Sequence, residues 1–197
     1  MVGNIRFMTL DDSIRELRET LDKLPSIASG IEQATGIILN TLRRGNKLLL
    51  AGNGGSAAEA QHFATELVGR FKGNRRSLPA VALTSDGTLM SCIANDFGWE
   101  SVFVRQVEGL ARPGDVVIGF SSSGNSADLI ALFEESGRQN LDTISFLGRG
   151  GGRCRGLAGC EIIVPSESTA AVQEVHLLLI HHICEQIEKA CPPPSSA

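Results

Sequence analysis

The hydrophobic pattern along the chain changes character near residue 45. Before that point, apolar residues recur at helical intervals, as Leu10, Ile14 and Leu17 do in one segment and Ile38 and Leu42 do in the next. The pattern predicts two amphipathic helices, over residues 9–23 and 28–44.

Beyond residue 45 the apolar residues fall into short continuous runs that end in Gly, Ser or Thr, which is typical of strands buried on both faces. The runs are "KLLLAG" (47–52), "PAVALT" (79–84), "DVVIGFS" (115–121), "DTISFLG" (142–148) and "EIIVPS" (161–166). Helical patterns lie between or after them, at 56–70, about 99–111, 126–137 and about 169–190. This alternation predicts an α/β fold, with a five-stranded parallel sheet covered by helices on both faces.

The same pattern sets the expected domain organisation. A single domain spans residues 1–191, its first part (about 1–45) is a helical extension, and the Pro- and Ser-rich tail 192–197 is expected to be disordered.

Composition narrows the class of protein. Hydrophobic residues make up 42% and charged residues 20% of the chain, the balance of a globular protein, and no apolar run is long enough to span a bilayer. A net charge of −4 and only 5% aromatic residues disfavour nucleic-acid binding. The five cysteines are an odd number without a Cys-x-x-Cys pair, so we expect them to be reduced. The start of the chain does not resemble a secretory signal, which favours a cytoplasmic protein.

Two loops that follow predicted strands have similar chemistry. "GNGGS" (52–56) and "SSSGNS" (121–126) each lead from a strand into a helix, where backbone N–H groups, hydroxyls and the helix dipole favour an anion such as phosphate. Neither is a P-loop, and either one alone could be a purely structural turn. Ser56 and Glu59 also have the spacing of a helix capping box.

The chain has only four histidines, and their positions mark candidate site residues. His62 and Glu66 are four residues apart on a predicted helix, so they lie on one face and could hold a metal, pair a base with an acid, or form a surface ion pair. The last helix carries the other three, His176, His181 and His182, together with Gln173.

Four segments taken together resemble one family. "AGNGGSAAEAQHFATEL", "IANDFG", "FSSSGNS" and "VQEVHLLLIHH" are similar to segments of the sedoheptulose 7-phosphate isomerases, or phosphoheptose isomerases, of the sugar-isomerase (SIS) domain group. The resemblance implies a flavodoxin-like sheet, a homotetramer with sites at subunit interfaces, and one Zn²⁺ per subunit. It also implies conversion of sedoheptulose 7-phosphate into D-glycero-D-manno-heptose 7-phosphate, the first step toward the heptose of bacterial surface glycans.

Site residues follow from the resemblance by position. It implies His62, Glu66, Gln173 and His181 as metal ligands, with Glu66 and His181 also the catalytic acid–base pair. Substrate contacts would come from Glu66 and Gln173 and from the loop residues Asn53, Gly54, Gly55, Ser56, Asn95, Asp96, Ser121, Ser122, Ser123 and Ser126. The chain departs from the family at Ala171, where an Arg is expected.

Two other functions stay open for a protein with this fold. A non-catalytic SIS protein could bind a replication-initiator partner, but such relatives tend to lose the residues equivalent to Glu66 and His181. A different SIS enzyme could act on another phosphosugar, and the implied metal ligands argue against it.

Spacing adds one prediction about assembly. Gln173 and His181 are eight residues apart, which is about 12 Å along a continuous helix, whereas two ligands of one zinc lie within roughly 4 Å. If all four residues bind one metal, His181 is expected to come from a neighbouring subunit.

Overall fold

A computed structural model of the protein describes residues 8–191. Its α-helices are α1 (Leu10–Leu21), α2 (Ala28–Arg43), α3 (Gly55–Val68), α4 (Gly87–Phe97), α5 (Val104–Leu110), α6 (Ala127–Arg138) and α7 (Thr169–Ala190). Its strands are β1 (Leu48–Gly52), β2 (Ala80–Ala82), β3 (Val116–Ser121), β4 (Asp142–Leu147) and β5 (Cys160–Ile163). Short 3₁₀ turns cover Leu24–Ile27, Trp99–Ser101 and Arg149–Cys154. The expectations for residues 1–7 and for the tail 192–197 fall outside the described residues.

The five strands form one parallel sheet in the order β2-β1-β3-β4-β5. This confirms the predicted parallel sheet, and the order is that of flavodoxin-like folds. The chain direction across the sheet reverses between β1 and β3, and ligands in such sheets bind at the carboxyl ends of the strands beside that switch point. The two Gly- and Ser-rich loops follow these two strands.

Alternate residues of each strand face opposite sides of the sheet, and the core is therefore in two parts. Leu48 and Leu50 pack with α2, α3 and α7, whereas Leu49 and Ala51 pack with α4, α5 and α6. All five residues of β1 are buried, which accounts for its unbroken apolar sequence.

The segment between β2 and β3 differs from the prediction. Helix α4 was not predicted, and the single helix expected over about 99–111 is a 3₁₀ turn followed by the shorter α5. Gly98 ends α4 with φ of +86°, which breaks the helical path. Asp86 caps the start of α4 by accepting a hydrogen bond from the Leu89 backbone N–H at 2.9 Å.

All five cysteines are free, in agreement with the expected absence of a disulfide framework. Among residues 8–191, no helix combines the length and the apolar character that crossing a bilayer requires.

Candidate active site

Helices α3 and α7 lie side by side and run in the same direction. Going along both, Gly55 lies against Gln173, then Glu59 against His176, and then His62 against His181. A cavity of about 360 Å³, here called the α3–α7 cleft, opens between them and is lined by Gly55, Ala58, Glu59, His62, Gln173, Glu174 and Leu177.

Three of the expected ligands meet where the two helices are in contact. His62 Nε2 lies 2.9 Å from His181 Nε2 and 3.2 Å from Glu66 Oε1. One ligand atom from each of the three residues can be chosen so that all lie within 4.8 Å of one another. Two imidazole nitrogens and a carboxylate are donors that Zn²⁺ takes, and ligand atoms around a tetrahedral zinc are about 3.3 Å apart. The three side chains therefore fit a zinc ion.

His181 was expected to come from a neighbouring subunit if all four residues bind one metal. His62, Glu66 and His181 do not need a neighbouring subunit to meet, because they lie together within one chain. Gln173 and His181 do lie on one continuous helix, as the spacing argument assumed, but that spacing does not keep His181 from His62 and Glu66. Because α3 and α7 run in the same direction, His181 contacts His62, whereas Gln173, about two turns earlier on α7, contacts the start of α3. Gln173 is therefore the residue that lies apart from the other three.

Gln173 lies at the end of the cleft nearest the start of α3. Its side-chain amide touches Gly55, so closely that a Cβ at position 55 would overlap the amide nitrogen. Gly55 lies two helical turns before His62, about 10 Å along the helix axis. Gln173 thus shares the cleft with His62, and its role as a fourth ligand stays a prediction.

Beneath the cleft lies a buried pair that the sequence did not reveal. His176 is fully buried, and its Nδ1 lies 3.4 Å from Glu59 Oε2. The predicted capping box is wrong: Gly54 is the N-cap of α3 without a side-chain cap, and Glu59 pairs with His176 instead. The Ser-x-x-Glu spacing fits a capping box as well as a Glu59 that pairs with another residue. Only His176, 117 residues away in sequence, distinguishes the two roles.

The loop after β1 is tied to the first turn of α6 through a buried carboxylate. Asn53 donates from Nδ2 to both oxygens of Asp128, at 3.0 and 2.9 Å. Burial raises the pKa of Asp128 against the opposing effect of the Asn53 hydrogen bond. The amide oxygen of Asn53 is therefore directed away from Asp128. Nothing in the sequence singles out Asp128, because an acidic residue in the first turn of a helix is ordinary.

The loop after β3 is held in shape by its own hydroxyls. The Ser121 hydroxyl accepts a hydrogen bond from the Gly124 N–H at 3.0 Å, and the Ser123 hydroxyl accepts one from the Asn125 N–H at 3.2 Å. Ser126 is the N-cap of α6 but its side chain makes no cap hydrogen bond. Neither α3 nor α6 thus has a side-chain cap. In α3 the N–H groups of Ser56 and Ala57 already donate to the Asn53 and Gly54 carbonyls, so the start of α6 is the better place for an anion.

The remaining predicted contact residues are placed as follows. Gly54 is exposed, Ser56 is buried in the first turn of α3, and Ser122 is half-buried. Asn95 and Asp96 are exposed on α4 and hydrogen-bond to each other, at 2.8 Å, rather than to either loop. Ala171 is buried in the first turn of α7, so the chain has no cation at that position.

Comparison with known proteins agrees with the fold. The model of the SIS domain matches residues 12–148. Phosphoheptose isomerase of Akkermansia muciniphila is 43% identical over 178 residues, covering 90% of this chain and 94% of the relative. That of Aquifex aeolicus is 49% identical over 162 residues, covering 82% and 85%.

Solved structures give the same result. The phosphoheptose isomerase from Neisseria gonorrhoeae superposes with a TM-score of 0.81 at 39% identity, covering 91% of this chain and 94% of that one. The enzyme from Francisella tularensis has a TM-score of 0.84 at 32% identity, with the same coverage. The chain therefore belongs to the phosphoheptose isomerase family of SIS-domain proteins.

Proposed function

We propose that the protein is an aldose–ketose isomerase that converts sedoheptulose 7-phosphate into D-glycero-D-manno-heptose 7-phosphate, at the start of heptose synthesis for bacterial surface glycans. The meeting of His62, Glu66 and His181 at the α3–α7 cleft carries this proposal. Identities of 43–49% to phosphoheptose isomerases over most of the chain support it against a protein-binding relative or another phosphosugar enzyme.

The reaction moves a carbonyl from C2 to C1 of the open-chain sugar. A base removes a proton from C1, an enediol forms, and a proton is returned to C2 while the two oxygens exchange theirs. Glu66 supplies the carboxylate that carries the carbon-bound proton. His181 supplies an imidazole that can donate to and accept from the oxygens. The Glu66 side chain is 16% exposed and His181 is half-buried, so water has limited access to both residues.

A zinc ion is part of the proposal, held by His62, Glu66 and His181. Gln173 of the same chain lies against Gly55, about two helical turns from His62, so the predicted fourth ligand would have to be Gln173 of a neighbouring subunit. When bound, it would act as a Lewis acid that polarises the sugar carbonyl. The close approach of the donor atoms supports this, because His62 Nε2 lies 2.9 Å from His181 Nε2 and 3.2 Å from Glu66 Oε1, and imidazole nitrogens and carboxylate oxygens are ligands that Zn²⁺ takes.

The length of the cleft suits a seven-carbon phosphosugar. The start of α3 and His62 are about 10 Å apart along the helix. An extended seven-carbon chain spans roughly 8 Å with bonds near 1.5 Å, and the phosphate adds about 2 Å. A phosphate at the loops after β1 and β3 therefore allows C1 and C2 to reach His62 and its neighbours.

The phosphate is proposed to bind the uncapped start of α6 and the hydroxyls of Ser121, Ser122, Ser123 and Ser126. These donors are neutral, so an acidic protein can hold the anion without a local lysine or arginine. Asn53, Gly54, Gly55 and Ser56 form the facing wall, and the outward amide oxygen of Asn53 can accept from a sugar hydroxyl. Asn95 and Asp96 stay predicted substrate contacts.

We also propose a cytoplasmic homotetramer. Exposed apolar side chains on α7, Leu177 at 37% and Leu178 at 47%, support burial against another subunit. The free cysteines support a reducing compartment.

The proposal is tested by incubating the purified protein with sedoheptulose 7-phosphate and analysing the product, with and without a chelator. We expect an aldoheptose 7-phosphate to form, and its rate to fall on chelation and recover on adding Zn²⁺. Absence of any aldose phosphate under all metal conditions would reject the proposal in favour of a protein-binding role.

A further inference from the structure

The segment that follows α3 is fixed by one carboxylate of α7. Glu188 accepts hydrogen bonds from three successive backbone N–H groups, those of Phe71 at 3.0 Å, Lys72 at 3.1 Å and Gly73 at 2.8 Å. This segment contains no helix or strand, so these bonds stand in for regular structure. The position of the Phe71 backbone is therefore set by Glu188.

A buried arginine ties the same carboxylate to the end of α3. Arg75 lies 3.5 Å from Glu188 through Nε, donates to the Leu67 carbonyl at 2.8 Å, and donates to the Glu66 carbonyl. Burial alone would raise the pKa of Glu188, but the three N–H groups and Arg75 lower it. Glu188 is thus held as an anion where α3 and α7 end.

Phe71 extends from this anchor back to His181. Glu188 and His181 are seven residues apart on one face of α7, about 10 Å along its axis. Phe71 spans that gap: its backbone bonds to Glu188, and its ring stacks on the His181 imidazole with centroids 5.3 Å apart and planes 22° apart.

We propose that Phe71 and Glu188 are positioning residues that fix the ring plane of His181. The inference rests on the proposed role of His181 as acid–base residue and metal ligand. The lone pair of an imidazole nitrogen lies in the ring plane, so rotating the ring would turn Nε2 away from His62 and Glu66. No protein group among residues 8–191 bonds to His181 Nδ1, the contact that usually orients a ligating histidine. The stacked Phe71 ring supplies the orientation instead.

The test compares variants at both positions by two independent measurements. One is the Zn²⁺ dissociation constant, measured by competition with a chromophoric chelator, and the other is the pair kcat and KM with sedoheptulose 7-phosphate. Phe71→Leu keeps apolar bulk but loses the flat ring, and Glu188→Gln turns an NH₂ group toward backbone N–H donors. We expect each to weaken Zn²⁺ binding by about tenfold or more and to lower kcat similarly, with KM within about twofold of wild type. Phe71→Tyr restores the ring and should return both values to within about threefold.

Matched controls separate positioning from a general loss of stability. Phe103→Leu removes a ring from the buried core on the other side of the sheet, and Glu185→Gln makes the same change one turn earlier on α7, where the partners are Lys72 and Lys189. Both should leave Zn²⁺ affinity unchanged, even if Phe103→Leu lowers Tm more than Phe71→Leu does.

Two other results would overturn the inference, and they are distinguishable. If His181→Gln lowers Zn²⁺ affinity and kcat but Phe71→Leu does neither, His181 has its proposed role and Phe71 does not position it. If His181→Gln itself has neither effect, the proposed role of His181 fails, and the positioning role fails with it.

Discussion

Glu66 is the residue on which the proposed chemistry depends most. Its side chain lies 3.2 Å from His62 and is 16% exposed, sheltered by the contact between α3 and α7. Glu66→Gln keeps the size of the side chain and removes its basicity. We expect kcat to fall by a factor of about 10² or more while the protein stays folded, measured by steady-state kinetics beside a circular dichroism spectrum. Near-normal turnover would remove Glu66 from the mechanism, and Glu185→Gln is the control for the charge change.

At the residue scale, the sequence predicts a contact between two site residues only where they are close together in the chain. His62 and Glu66 are one helical turn apart, so their meeting could be predicted from spacing. The partnerships of Glu59 with His176 and of Asn53 with Asp128 join residues 117 and 75 positions apart. Nothing in the local sequence specifies such pairs, because they depend on how α3, α6 and α7 pack.

At the scale of elements, the loop after β3 depends on a glycine. Gly124 has φ of +64°, and a Cβ there would overlap the Gly151 carbonyl of the adjacent 3₁₀ turn. The backbone conformation alone costs a side chain of order 1–3 kcal/mol. Gly124→Ala should therefore distort the proposed phosphate loop and raise KM for the phosphorylated sugar by tenfold or more.

Gly137→Ala provides the comparison for that change. Gly137 lies in α6, and a Cβ there meets nothing within 4 Å, so the alanine should preserve KM and stabilise the helix slightly. Equal KM values for the two variants, in the same kinetic assay, would show that the loop does not bind phosphate.

The start of β3 offers a prediction about pH. Asp115 is buried, and its carboxylate accepts from the backbone N–H groups of Lys47 at 2.9 Å and Arg112 at 2.7 Å, beside the Lys47 ammonium. Burial would raise the pKa of Asp115, but these partners lower it overall. A lowered pKa in the folded state means that the stabilisation is present above the unfolded pKa of about 4 and is lost as pH falls below it.

Asp115→Asn should accordingly lower Tm by several degrees at pH 7. The difference from wild type should shrink as the pH falls below about 4, as measured by thermal melts across the pH range. A difference that stays constant with pH would mean that the charge of Asp115 is not what holds β3 to the start of β1.

The elements themselves could largely be predicted from the sequence. Each of the five apolar runs contains a strand. The expected burial on both faces holds throughout β1 and β3, whereas the edge strands β2 and β5 are only partly buried. The periodic pattern predicts no helix at α4, although Asp86 offers an N-cap signal, and it predicts one helix over about 99–111 where the structure has a 3₁₀ turn and the shorter α5. Both differences lie where Gly98 and short turns interrupt the periodic pattern.

At the scale of the whole molecule, the question is whether a catalytic site belongs to one chain or is shared between chains. Sequence spacing suggested sharing, because Gln173 and His181 are too far apart on α7 to meet. The parallel packing of α3 on α7 instead places Glu66 and His181 of one chain together. Neighbouring subunits of the proposed tetramer could still cover the substrate without supplying either catalytic side chain.

The most direct test of this account mixes two inactive proteins, Glu66→Gln and His181→Gln, under conditions where subunit exchange is demonstrated with differently tagged chains. Each chain then lacks one member of the pair, so the account predicts no activity above that of the two parents. Wild type exchanged with the double variant should retain activity in proportion to its wild-type chains. If each site instead joined Glu66 of one subunit to His181 of another, random mixing would make about a quarter of the sites complete. Recovery of about a quarter of wild-type activity would therefore contradict the account.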